Sequence, residues 1–216
     1  EVKASATTLR ILHVTDSHIS LVDEQPGRST RMFDAMARST DWMSGRATTP
    51  AKEFERLVSL ARREKVHLIA LGGDIVNFPS KVTVTFVMDK LKATGIPYVY
   101  VSGNHDWMLE GQPEDTEYDM DRVPELHSTL WPLVAGSLAF PEQKQPGHIN
   151  KPGDEVLYGC ASIREVDIIT IDNGNYQVTD DQLTFLRACL EHRPSGCGRC
   201  RPHSARPIVL LLHVPM

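Results

Sequence analysis

An α/β fold is predicted by three features of the sequence. Short apolar runs alternate with longer stretches of helical periodicity, the order that builds strand–helix–strand units. Turn-forming Gly, Asp and Asn bound the apolar runs. Polar clusters follow those runs directly, at the tips where open α/β sheets bind ligands. The 216 residues, 41% hydrophobic and 24% charged, are enough for one domain with a sizeable core. This composition excludes a chain disordered throughout and a collagen-like or coiled-coil rod. The apolar run 208–212 ends at His213, far short of the ~18 residues a membrane span needs. A formal charge of −5 excludes generic binding to nucleic acid or anionic membranes.

Taken in order, residues 9–14 read as a buried strand stopped by Thr15-Asp16, and a helix is expected over about 31–43. Thr49-Pro50 supplies an N-cap and an N1 proline for a helix to about Lys65, with Phe54, Leu57, Val58 and Ala61 as its apolar stripe. Residues 68–71 form a second strand, halted by Gly72-Gly73-Asp74. Ser80 caps a helix to Gly95, against the β-branched run 82–85. Residues 98–101 make a third strand, ending at Ser102-Gly103-Asn104. The stretch 107–155 is rich in Pro, Gly and acids, with one short helix expected over 123–131, and reads as an insertion or cap within a single domain spanning 1–216. Strands resume at 155–161 and 166–171. Thr179-x-x-Gln182 is a capping box opening a helix to about His192. A basic, cysteine-bearing loop over 196–206 precedes the last strand.

Four polar clusters carry the chemistry: Asp16-x-His18, Gly73-Asp74, Gly103-Asn104-His105-Asp106, and His213. Asp, His and Asn offer the mixed O and N donors that suit first-row metals. In a continuing strand Asp16 and His18, two apart, would point to one face. Glycines before Asp74 and Asn104 let the backbone turn and approach an ion or phosphate.

In order and in register, these clusters resemble the calcineurin-like metallophosphoesterase superfamily, whose pattern runs D-x-H, G-D, G-N-H-D/E, a lone His, then G-H-x-H. The resemblance implies a sandwich of two mixed β-sheets flanked by helices. It implies two divalent metal ions (Mn, Fe or Zn), with Asp16 and His18 on the first, Asp74 bridging, and Asn104 and His213 on the second. His105 would donate to the leaving oxygen, oriented by Asp106. The implied activity is hydrolysis of a phosphate ester by a bridging hydroxide. The partner is then a small phosphate ester or nucleotide. The Asp-Arg-Gly of protein phosphatases is replaced here by Asn77-Phe78-Pro79, and the purple acid phosphatase Tyr by Asn77, so a diester or nucleotide is favoured over a phosphoprotein.

The final G-H-x-H is absent before Met216, leaving each metal one His short. The expectation is therefore a C-terminally incomplete member with its last strands missing. The alternatives are a non-catalytic scaffold of the same fold that binds a protein partner, or a fragment of a longer enzyme. Glu1 in place of Met implies a processing or cloning boundary, and compartment and oligomeric state stay open.

Cys197-x-x-Cys200 with His203, and Cys189 or His192 as a fourth donor, reads as a structural metal site, and the Cys197–Cys200 pair equally as a disulfide or as reduced thiols in a surface loop. Cys160, in an apolar run, reads as a core thiol. Asp172-Asn173-Gly174 ends another apolar run and reads either as lining the same edge or, preferably, as a plain strand-end turn, and His13 reads as a structural histidine.

Overall fold

The computed structural model describes residues 8–21, 39–40, 44–107, 123–139, 157–174, 176–191 and 206–214. Two three-stranded sheets carry the architecture. The first contains β1 (Ile11–Val14), β4 (Leu68–Gly72) and β5 (Tyr98–Val101) in the order β1-β4-β5, all parallel. Its central strand is buried at all five positions, as a parallel strand covered on both faces must be, which is why its sequence is continuously apolar rather than alternating.

Helix α1 (Pro50–Arg63) starts where Thr49 accepts the Lys52 amide. It buries Phe54, Val58 and Ala61 on one stripe, and full burial of a side chain such as Phe54 contributes about 1.5–3 kcal/mol. Helix α2 (Lys81–Thr94) forms in spite of its β-branched start. Ser80 caps the Thr83 amide, and Val84, Val87 and Leu91 bury one face, so packing overrides propensity. Helix α3 (Val123–Gly136) runs five residues beyond its expected end at Trp131, through Pro132. Burial of Leu130, Leu133 and Val134 in the core extends it. The helix lies against α2 and β5.

The second sheet has the order β6-β7-β8. β6 (Tyr158–Ile163) and β7 (Val166–Ile171) form an antiparallel hairpin, and β8 (Ile208–Leu211) joins β7 in parallel, so this sheet is mixed. Ile168 of β7 faces the main core shared with the first sheet. Ile169 and Ile171 point the other way, onto Phe185 and Leu186 of α4 (Asp180–Leu190). Thr179 and Gln182 make the expected capping box at the start of α4. The result is a layered α/β sandwich: helices α1–α3, two sheets with the core between them, then α4.

Of the helix expected over 31–43, residues 39–40 are instead strand β2 (Ser39–Thr40), paired antiparallel with β3 (Ala47–Thr48), and the remainder lies outside the described residues. Ser and Thr are weak helix formers that take an extended partner readily. Cys160 is buried in β6 as expected but is disulfide-bonded, not a thiol. Among the described residues no helix is long and apolar enough to cross a membrane.

Candidate metal centre

Three parallel strands deliver three loops to one edge. The loops after β1 and β4 continue side by side beyond the sheet: the amides of Asp16, His18 and Ile19 donate to the carbonyls of Gly73, Asp74 and Ile75 at 2.9–3.1 Å. To do this Asp16, His18 and Asp74 take left-handed backbone angles, with φ of +54°, +45° and +51°. Asp16 and His18 thus share a target through a twisted loop and not, as the spacing suggested, through a continuing strand. Asp and His are among the residues that tolerate this region at tolerable cost.

Asp74 is the hub. It is 4% exposed. Its Oδ2 lies 3.8 Å from His18 Nε2 and 3.3 Å from His213 Nε2. Its Oδ1 accepts the His105 amide at 2.9 Å. His18 Nε2 is also 3.8 Å from Asp16 Oδ1. Burial pushes the Asp74 carboxyl up, but the His213 ring, the His105 amide and the charge on both imidazoles outweigh it and hold the group below its ordinary value. The hydrogen bond to Asp74 raises His213 to about 9 against the effect of its burial. His213 Nδ1 lies 2.9 Å from the Gly72 carbonyl, so Nδ1–H donates there and Nε2 is presented to Asp74.

Two groups of ligand atoms lie within 4.8 Å of one another, His18–Asp74–His105 and Asp16–Asp74–His213, and Asp74 belongs to both. Asn104, 7% exposed, follows Gly103 in the loop that holds His105. The loop has no room to spare. A Cβ on Gly103 would meet Asp74 Oδ1 and stand 2.5 Å from the Asp74 backbone nitrogen. Asp16, His18, Asp74 and His213, two carboxylates and two imidazoles gathered from three strand tips, are donors that fit divalent first-row cations.

Asp106 is fully buried, and its carboxylate accepts the Val76 amide at 2.9 Å and the Gly103 amide at 2.8 Å. It joins the β4 loop to the β5 loop. Burial and the charge of Asp74 push it up to about 7. The group beside the His105 ring is Asn77, whose Oδ1 lies 3.0 Å from Nδ1. The His105 ring also stands edge-on to His18, 4.6 Å between centroids. The sequence weighs Asn77 only as a departure from the protein-phosphatase and purple acid phosphatase patterns, not as a neighbour of His105. Its signal is its place three residues beyond Asp74 in the same loop.

Asp172-Asn173-Gly174 is more than a turn. The Asp172 carboxylate receives the Ser102 hydroxyl and the Gly174 amide, and the Trp107 side chain hydrogen-bonds it. Asn173 binds the His213 loop.

A profile of the calcineurin-like phosphoesterases matches residues 9–216. The chain belongs to that family. Among solved structures, it is similar to a dimetal phosphatase from Danio rerio, with 16% sequence identity and a TM-score of 0.44 over 87% of this chain and 53% of the other. The chain therefore spans about half the length of that structure. A search of curated proteins gives no match. In this family setting Asp16, His18, Asp74, His105 and His213 are the clustered residues. Cys189 is not among them. It is buried in α4 beside Cys160, Ile169 and Ile171. Cys197, Cys200 and His203 lie outside the described residues, as do most of the expected insertion's residues.

Proposed function

We propose that this chain hydrolyses phosphate esters with a pair of divalent cations, and that its substrate is a small diester or nucleotide. The observation that carries the reading is Asp74: one buried carboxylate shared by two ligand groups drawn from both sheets. The family resemblance assigns Asp16, His18 and Asp74 to one cation and Asp74, Asn104 and His213 to the other, whereas by distance Asp16 stands with His213 and His18 with His105. Two such cations, when bound, lower the pKa of a water and neutralise phosphoryl oxygens during in-line attack. The residues supply the rest. Asn77 Oδ1 accepts from Nδ1–H of His105 and fixes the ring, so that the imidazolium gives its Nε2 proton to the leaving alkoxide. Asp106 holds the loops of Asp74 and His105 at one spacing by binding the backbone of each. Mn, Fe and Zn all suit the donors.

The test is a metal-depleted preparation titrated with Mn²⁺ or Zn²⁺ and assayed on an activated aryl phosphodiester. Uptake of two equivalents with metal-dependent turnover is expected. A folded chain that takes up no metal overturns the reading.

A further inference from the structure

Where His213 sits is not explained by its own strand. β8 pairs only with β7 among the described strands, and His213 lies two residues beyond its end. Yet the ring must reach Asp74, which belongs to the other sheet. The ring itself makes the crossing, to the Gly72 carbonyl and to Asp74, and one side chain of its own sheet fixes the backbone that carries it. Asn173, 2% exposed at the end of β7, accepts the His213 amide at 3.1 Å and the Val214 amide at 3.2 Å on Oδ1. Its Nδ2 donates to the Val214 carbonyl at 2.7 Å. A primary amide of this length offers an acceptor and a donor together; aspartate lacks the donor and leucine lacks both.

Asn173 is itself anchored to the first sheet. A Cβ on Gly174 would stand 2.9 Å from the Gly103 carbonyl carbon and 3.2 Å from the Asn104 nitrogen, so the two backbones are in direct contact. On the other side Asp172 holds Ser102 and Trp107, which flank Gly103–Asp106 in sequence. The tripeptide thus grips the loop of Asn104 with one hand and the loop of His213 with the other.

We propose that Asn173 is a positioning residue that sets His213 against Asp74, and so fixes the affinity of the cation held through His213 while leaving the cation at Asp16 and His18 untouched. This rests on the dinuclear reading above. Partners that orient a metal ligand typically govern about 10–100-fold in affinity.

The experiment is a Mn²⁺ titration of the whole chain by calorimetry, with electron paramagnetic resonance of the loaded protein. Wild type is expected to take two equivalents and to show a spin-coupled pair. Asn173→Ala is expected to keep one tight equivalent, to bind the second about tenfold or more weaker, and to lose the coupled signal at two equivalents. Asn173→Asp keeps both acceptor contacts and is expected to recover part of that loss. Two equivalents at wild-type affinity in a folded Asn173→Ala chain overturn this inference alone. If the alanine chain does not fold, Asn173→Asp decides, and an unchanged second affinity overturns it. Wild type binding no metal overturns the dinuclear reading and this inference with it.

Discussion

His213 Nε2 lies 3.3 Å from Asp74 Oδ2, across the boundary between the two sheets. Removing the charge of Asp74 alone therefore disarms both ligand groups at once. Asp74→Asn keeps the shape and the hydrogen bond from the His105 amide. Metal uptake is expected to fall by about a hundredfold or more, with phosphodiester turnover at background. Metal content after dialysis, with circular dichroism to confirm the fold, checks this.

His105 and Asn77 separate chemistry from binding. His105→Ala is expected to lower kcat by about 10²–10⁴-fold, the usual worth of a positioned general acid. Asn77→Asp places a carboxylate at the Nδ1 contact of 3.0 Å, where the opposite charge favours the imidazolium. The alkaline limb of the kcat profile should move to higher pH. A profile that does not move removes Asn77 from this role.

Gly103 gives a steric test. Gly103→Ala drives a methyl into Asp74 Oδ1 and to 2.8 Å from His213 Nε2. A loss of about 1–3 kcal/mol of stability is expected, measured by urea unfolding, together with weakened metal binding. An alanine variant as stable as wild type contradicts the packing described.

Asp172 gives a pH test at a group that is not itself a proposed ligand. Burial pushes its carboxyl from 3.8 up to about 6, against the pull of Ser102 and the Gly174 amide. The folded state then holds this proton more tightly than the unfolded chain does, so the contribution of Asp172 to stability is fully present below about pH 4 and is lost as pH rises to about 6. Asp172→Asn is free of that loss. Its stability relative to wild type should climb across this window by up to about 3 kcal/mol and level off above it. Unfolding midpoints of both proteins at several pH values decide the matter.

The strands and their tips were legible because buried parallel strands announce themselves as apolar runs, and those of the first sheet run into Gly, Asp or Asn within two residues. β4 and its Gly72-Gly73-Asp74 stop are the clearest case. Three things were hidden. Residues 39–40 pair with 47–48 through backbone bonds that leave no pattern in side chains. The partner of the His105 ring is a loop neighbour of Asp74, Asn77, and not the adjacent Asp106, because the short 3₁₀ turn at His105–Trp107 buries the Asp106 carboxylate under Val76 and Gly103. The clamp of Asn173 joins residues distant in sequence, and only the packing of one sheet on the other brings them together.

The left-handed backbone at Asp16, His18 and Asp74 has a consequence for anyone wishing to toughen this protein. Each such residue burdens the native state by about 1–2 kcal/mol, a burden that glycine would lift. Selection for heat resistance alone would therefore drift toward Gly at positions 16 and 18. It would return a hardier molecule without two of the side chains that the proposed cation site needs, so any directed-evolution campaign here has to score metal uptake alongside melting temperature.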